Sequence, residues 1–361
     1  MINQINNEKI NKIIIISLSG IGNNIMFTPT LIQLKKIIPN SEIHYLVVTK
    51  AIKKIFYNFP IIDKVILLSN NQHVSFKKKV NILFKAYELR KNKYDLSITI
   101  FPSNRIEYNL LSYLIGAKFR VSHSYKIGKI KTLSFLQNIK VETNDKIHDV
   151  EQNFNLLKVI KKTYNYNYKP IIYLNEKDKI FGLKFVKKFN RPIVGIHLNF
   201  VRNSTGHFVF KDIKKTFYKI FQYLKKKYNA TIILMGATNE YKINKKLFED
   251  LNLNIIYCFN KTILQIAAII TNCDLFINIE SGLGHIASAV KTKSITLMGP
   301  TIKSRTSTYG NCAINLYEPN TTIYKYPFHT TNYKDIDKKN NKPIKLNFTK
   351  MIQSIDKQLN D

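Results

Sequence analysis

The sequence predicts an α/β protein made of two halves, each a parallel β-sheet flanked by helices. Three observations carry this. Short β-branched apolar runs alternate with stretches whose apolar residues recur at helical spacing, the mark of βαβ units. The alternation runs twice, before and after a Tyr- and Asn-rich stretch, Lys161 to Lys169, that closes on Pro170. The 361 residues suffice for two cores. No fixed-period repeat relates the halves, so they are similar in plan but distinct in sequence.

In the first half, Lys12 to Leu18 is a buried strand and Ser19 to Asn24 a turn. Leu31, Leu34, Ile37 and Ile38 give Ile25 to Ile38 a helical period, with Pro29 near the start, where proline is tolerated. Strands follow at Glu42 to Val48 and Lys64 to Leu68, then a basic helix over Phe76 to Arg90. Tyr94 to Phe101 is a strand stopped by Pro102, and Asn104 to Ile115 a helix ended by Gly116. Lys126 to Asp145 reads as irregular, and His148 to Ile160 as helical through Val150, Phe154, Leu157 and Ile160.

In the second half a short helix over Asp178 to Phe189 leads into a strand at Ile193 to Leu198 and a polar loop from Asn199 to Val209. Phe210, Ile213, Phe217, Ile220, Phe221 and Leu224 mark one helix face. Thr231 to Met235, Asn254 to Cys258, Asp274 to Ile279 and Ser294 to Met298 are strands. Tyr241 to Asp250, Ile263 to Ile270 and Ile286 to Val290 are the helices between them. A Lys/Asn-rich loop covers residues 317–345, and Phe348 to Leu359 is a terminal helix. The domains are therefore expected at 1–170 and 171–345, with 346–361 as an appended helix.

Hydrophobic content of 45% with 12% aromatic residues fits a globular protein. Cys258, Cys273 and Cys312 follow no paired spacing, which speaks against a disulfide framework or a zinc site. Met1 to Lys12 has no signal-peptide pattern, and the apolar run Ile13 to Ile16 is too short to span a bilayer, so a cytoplasmic location is expected. The formal net charge is +34. Lys, Asn, Ile, Tyr and Phe are abundant together, as AT-rich codons produce, and an anionic membrane or glycolipid is a plausible consequence of that charge. The basic residues are spread over every segment and no zinc-finger, RNA-binding or helix-turn-helix pattern accompanies them, so a nucleic-acid partner is not expected.

The stretch Asp274 to Ala287 is the most informative for chemistry. A buried strand runs into Glu280-Ser281-Gly282-Leu283-Gly284-His285 and then a helix. Free backbone N–H groups and the positive end of a helix at a strand tip suit a phosphate. Glu280 stands ready to accept hydrogen bonds from sugar hydroxyls. The competing reading is an ordinary strand-to-helix connection in which glycine only permits a tight turn.

Several stretches in order resemble glycosyltransferase family 9, the bacterial lipopolysaccharide heptosyltransferases. They are Ile14 to Pro29, with its strand, turn and Thr28-Pro29; Tyr94 to Ile98 followed by Gly116 to Val121; and His148 to Glu151. Gly236-Ala237 before Glu240, the Glu280 to His285 loop, and Gly299-Pro300-Thr301 leading to Arg305-Thr306 and Tyr309-Gly310 complete the set. The resemblance covers Ile13 to Gly310. It implies a GT-B fold, two Rossmann-like domains facing each other across a cleft, with the C-terminal helix packed back on the first domain. It further implies an inverting, metal-independent transfer of a heptose or similar sugar from a nucleotide-sugar, usually ADP-heptose, with no other cofactor. The acceptor is a lipopolysaccharide core or related anionic surface glycan, and the enzyme is peripheral to the inner membrane.

Carried onto this chain, the resemblance makes Gly236, Glu240, Glu280, Ser281, Gly282, Gly284 and His285 donor-binding positions, with Glu240 on the ribose and His285 toward a phosphate. A solvated surface Glu240 and a His285 that only caps its helix are the competing views. Three departures stand out. Glu280 replaces an Asp. The family's cation before an aromatic residue is absent from Gly206-His207-Phe208, leaving Arg202 as the nearest substitute, with the Ser204 and Thr205 hydroxyls beside it. Asn23 stands where the family has the Asp that acts as general base, and an amide cannot take a proton near neutral pH. Asn23 then orients the acceptor hydroxyl while another base serves, with Glu107 and His123 as candidates, or the chain is an impaired homologue that binds nucleotide-sugar or glycolipid. Gly20-x-Gly22 lacks the third glycine of a dinucleotide fingerprint, and Asp335-Ile336-Asp337 sits in a Lys/Asn-rich loop with no flanking strand, so it reads as a solvated turn rather than a metal pair.

Overall fold

A computed structural model describes residues 5, 10–68, 76–125, 129–144, 146–161, 169–198, 212–251, 253–299, 301–318 and 346–360. The chain forms two compact units that divide between Tyr173 and Leu174. In chain order the first contains β1 (Lys12–Ile16), α1 (Ile21–Ile37), β2 (Glu42–Val47), α2 (Lys50–Tyr57), β3 (Lys64–Leu67) and α3 (Phe76–Glu88). It continues with β4 (Leu96–Thr99), α4 (Ile106–Ile115), β5 (Phe119–Ser124), β6 (Ile139–Glu142) and α5 (Asp149–Asn155). Its sheet has the order β3-β2-β1-β4-β5-β6, and every pair is parallel. The first strand lies in the middle and the chain winds outward from it on both sides, the doubly wound plan. β1 reads Lys-Ile-Ile-Ile-Ile, and its four isoleucines are fully enclosed, as a central strand covered on both faces requires.

α1 begins at Ile21, not Ile25, so Asn23 is helical and Pro29 lies inside the helix. A mid-helix proline deprives the carbonyl four residues back of its partner. That carbonyl is Ile25 O, and the Thr28 hydroxyl donates to it at 2.7 Å. The Thr28 hydroxyl oxygen in turn accepts from Ile171 N at 3.0 Å, tying the last segment of the unit to this helix. Thr28-Pro29 is thus a self-compensating pair. Gly116 ends α4 with φ of 73°, as the sequence predicts. Three short elements escape the sequence reading. α2 has three lysines in its eight residues and is capped by Thr49, whose hydroxyl accepts from Ile52 N at 3.2 Å. β5 is mostly polar and goes unassigned after Gly116, and β6 alternates apolar and polar residues within the stretch Lys126 to Asp145 that reads as irregular.

The second unit contains α6 (Glu176–Val186), β7 (Ile193–His197), α7 (Ile213–Tyr228), β8 (Thr231–Met235), α8 (Tyr241–Phe248) and β9 (Ile255–Cys258). It continues with α9 (Ile263–Thr271), β10 (Leu275–Ile279), α10 (Gly282–Ala289), β11 (Ser294–Leu297), α11 (Lys303–Thr306), β12 (Ala313–Leu316) and α12 (Phe348–Asn360). Its sheet repeats the plan in the order β12-β11-β10-β7-β8-β9, again all parallel. β12, a strand the sequence reading does not include, pairs with β11. Phe217, Ile220 and Phe221 of α7 pack on Val194, Ile196 and Ile232 in one core.

α12 belongs to this second core, which corrects the expectation that it returns to the first domain. Met351 and Ile355 are buried in the cluster formed by α7, β7, β8, β10 and β11. Asp356 accepts from Tyr223 Oη at 2.7 Å and Tyr228 Oη at 2.7 Å, and pairs with Lys227 Nζ at 2.9 Å. Burial opposes its ionisation, but these three donors outweigh it and hold the carboxyl below the ordinary Asp range. A depressed folded-state pKa contributes stability that is present above the unfolded value and is lost as pH falls through the folded one. Asp356→Asn is therefore expected to lower stability by about 1–2 kcal/mol at pH 7. The gap to the parent protein should close below about pH 4, measured by urea unfolding across pH. An unchanged gap at low pH contradicts the clamp.

Candidate functional site

Both sheets place their first strand beside a strand of the opposite winding, and in open α/β sheets ligand sites form outside the carboxyl ends of the strands at that point. In the second unit the point lies between β7 and β10. β7 ends on His197, a buried polar residue at the close of an apolar strand. Its Nδ1 is 2.9 Å from Ser281 Oγ, in the turn after β10. Its Nε2 is 3.4 Å from Glu240 Oε2, in the segment after β8. One imidazole thereby joins the loops that leave three adjacent strands. Sequence reasoning did not single out His197; a lone histidine ending an otherwise apolar strand was the available signal.

Glu240 is not the solvated surface residue that was its competing reading. Burial works against its ionisation, yet the His197 bond and charge, with the Ala237 N–H, outweigh it and leave the carboxyl below its ordinary value. Ala237 N donates to Oε2 at 2.6 Å. Gly236 is required by this arrangement, because a Cβ there would strike the Glu240 carboxylate and would lie 3.2 Å from the His197 ring.

Glu280 is turned into the protein rather than standing open to a sugar. Its Oε2 accepts from Gly299 N at 3.1 Å and Thr301 Oγ1 at 2.6 Å, and its Oε1 accepts from Thr306 Oγ1 at 3.0 Å. Burial raises its pKa, against the pull of these donors. The residue staples the turn after β10 to the loop and short helix after β11. Ser281 is the N-cap of α10 with extended backbone, and its hydroxyl serves His197 instead of capping the helix. Gly282 is the first residue of α10. Gly284 answers to packing: a Cβ there would run into the Asn278 side chain on β10. Asn278 is itself fixed by Thr296 Oγ1, which donates to Oδ1 at 3.0 Å. His285 is buried within α10. Arg202, Ser204 and Thr205 lie outside the described residues, as do Asp335 and Asp337.

In the first unit the turn between β1 and α1 is held by Tyr108 of α4. Its hydroxyl accepts from Leu18 N at 2.8 Å and lies 2.8 Å from Ser19 Oγ. Burial pushes that phenol up to about 12. Asn24 is fully buried; its Nδ2 donates to Gly20 O at 2.8 Å and its Oδ1 accepts from Tyr45 Oη at 2.9 Å. Asn23, next to it, is half-buried in the first turn of α1 and makes no side-chain hydrogen bond among the described residues. A rigid turn thus presents an unengaged amide. Glu107 opens α4 beside Tyr108, half exposed and paired with Arg105 at 3.2 Å. His123 is buried, its Nε2 2.9 Å from Gln152 O and its ring against Phe101. That enclosure removes it as a base for an outside hydroxyl. Among the described residues no group of three or more His, Cys, Asp or Glu is arranged to hold a metal ion.

Two doubly wound units of parallel sheet give the chain the GT-B fold, which it shares with solved heptosyltransferases. The model of glycosyltransferase family 9 (heptosyltransferase) matches residues 83–333, most of the chain, and the protein belongs to that family. It is 26% identical over 296 residues to lipopolysaccharide heptosyltransferase 3 of Escherichia coli K12, covering 78% of this chain and 80% of that one. Its fold is shared with a family 9 glycosyltransferase from Veillonella parvula, at a TM-score of 0.75 and 17% identity over 97% of each chain. The E. coli ADP-heptose lps heptosyltransferase II is similar at a TM-score of 0.72 and 15% identity, over 97% of this chain and 98% of that one.

Gly236→Ala tests the Glu240 arrangement. The added methyl displaces a flexible carboxylate, so the fold should lose only about 1 kcal/mol, the worth of a hydrogen bond or two. Freed from His197 and Ala237 N but still partly enclosed, the Glu240 carboxyl should titrate at higher pH. Carbon NMR of labelled glutamate reads this directly; an unmoved Glu240 titration contradicts the geometry.

Proposed function

We propose that this glycosyltransferase moves a heptose or similar sugar from a nucleotide-sugar, ADP-heptose foremost, to a lipopolysaccharide core or related anionic surface glycan, with inversion and without a metal ion. The observation that carries the reading is the His197 bridge among the loops after β7, β8 and β10, within the segment that matches the heptosyltransferase family. In this reading the second unit holds the donor. Glu240 takes the ribose hydroxyls, and the backbone N–H groups at the start of α10 face the diphosphate. Relatives named as lipopolysaccharide and ADP-heptose enzymes support the substrate class. The acceptor is anchored in lipid, so the enzyme works at the inner face of the membrane; no helix among the described residues is long and apolar enough to cross it.

The chemistry forms a bond from the acceptor oxygen to the anomeric carbon and breaks the bond from that carbon to the diphosphate, which leaves with the electron pair. The acceptor proton must go to a base. Asn23 cannot be that base. It orients the hydroxyl, and Glu107, on the helix whose Tyr108 holds the neighbouring turn, takes the proton. The second reading, an impaired homologue that only binds, is favoured by Asn23 itself.

The test joins binding to turnover. ADP-heptose should raise the melting temperature, and a sugar linked to a different nucleotide should do so less. Transfer should persist in EDTA. Glu107→Gln should lower kcat by about a hundredfold, the usual worth of a general base. Asn23→Asp should leave turnover within about tenfold of the parent enzyme if Glu107 is the base. A gain of about a hundredfold or more in Asn23→Asp, with Glu107→Gln silent, establishes the impaired-homologue reading instead. Absence of any shift with ADP-heptose overturns the donor.

A further inference from the structure

One face of the first unit exposes aromatic and aliphatic side chains among basic ones. α3 and α4 bury Ala86, Leu111 and Ile115 in their common core. They leave Phe84 at 62%, Tyr87 at 53% and Tyr113 at 44% exposed. The loop at residues 129–136 adds Ile130 at 83% and Phe135 at 64%. Two arginines join these into one surface. The Arg90 guanidinium is 5.5 Å from the Tyr87 ring centre and lies against Gly116, at the end of α4. The Arg120 guanidinium is 5.7 Å from the Tyr113 ring centre and within electrostatic reach of Arg90. Arg120 Nε donates to Leu136 O at 2.8 Å, beside Phe135.

Residues 84–91, 113–120 and 129–136 together carry seven Lys or Arg and one acid, Glu88. Rings and aliphatic chains that enter the headgroup boundary, ringed by cations that meet lipid phosphates, are what a protein needs to lie on an anionic bilayer. A nucleic acid uses the cations and the tyrosines but not Ile130, which has no π face for a base to stack on. Lys129 and Lys131 flank Ile130 on both sides, so its apolar chain is offered where charge already draws an anionic surface.

We propose that this face docks the protein on an anionic lipid bilayer, with Ile130 and Phe135 inserted and the surrounding Lys and Arg on the headgroups. The inference gives the proposed membrane-side transfer a physical address; its purpose rests on a lipid-anchored acceptor, while its geometry does not.

The experiment is co-sedimentation of the full chain with vesicles of phosphatidylglycerol and phosphatidylethanolamine, against phosphatidylcholine vesicles, at low and moderate salt. Binding should favour the anionic vesicles by about tenfold and weaken as salt rises. Ile130→Ser with Phe135→Ser, both exposed and without a core to disturb, should weaken it by about tenfold. A charge control on the second unit, Lys242→Glu with Lys246→Glu, should change it less than about twofold. Loss through the control pair with none through the apolar pair, or displacement from vesicles by single-stranded RNA at equal concentration, overturns the proposal. Sugar transfer separates it from the functional reading. The apolar pair should slow transfer to acceptor embedded in vesicles and spare transfer to a soluble, delipidated acceptor. If vesicles bind as stated and neither acceptor form is glycosylated, the docking surface stands and the acceptor assignment fails.

Discussion

The constraint on which the rest depends is the parallel order of the second sheet, which brings the ends of β7, β8, β10 and β11 to one edge. Parallel strands buried on both faces are mostly apolar along their length, so the polar groups that can meet a ligand gather where they stop. His197 is that stopping point on β7. It is the residue through which the turns after β8 and β10 sense each other, because Glu240 and Ser281 both bond to its ring. Glu280 performs the same task one strand further on, joining the turn after β10 to the loop after β11 through Gly299, Thr301 and Thr306.

These ties are built differently, and the difference has consequences. Glu240 is held below its ordinary pKa and so remains an anion with a defined orientation through neutral pH. Glu280 is raised by burial, so its ionised form depends on the three donors around it. Loss of any of those donors leaves a buried charge poorly compensated, the costly way to break such a contact. The first unit is built with the same economy. Thr28 satisfies the carbonyl that Pro29 orphans, and Tyr108 braces the turn from which Asn23 projects.

The alternation of β-branched runs and helical periods made the α/β class and most central elements legible, since buried parallel strands announce themselves by composition. Thr231 to Met235 needed no adjustment. What escaped was short and half-polar: α2, β5, β6 and β12, where a few alternating residues carry too little pattern to separate strand from loop. Gly20 and Gly22 read as a turn, although α1 already begins at Ile21. The site was legible as a place, through Glu280 to His285, but not in its wiring. The glycine before His285 reads as part of a phosphate cradle, and the structure adds a packing reason the sequence does not show: Gly284 makes room for Asn278, as Gly236 does for Glu240. Glu280 looked available, yet its oxygens face Thr301 and Thr306. His197 lay in no motif, and contact between residues 43 and 84 positions apart has no local signature.

Titration calorimetry of ADP-heptose with the parent protein and His197→Ala tests the central claim most directly. If the imidazole holds the donor loops in register, the variant should stay folded and bind at least about tenfold more weakly, a difference of about 1.4 kcal/mol. Equal affinity in a folded variant would show that the loops need no such bridge, and the account of the donor site would be wrong.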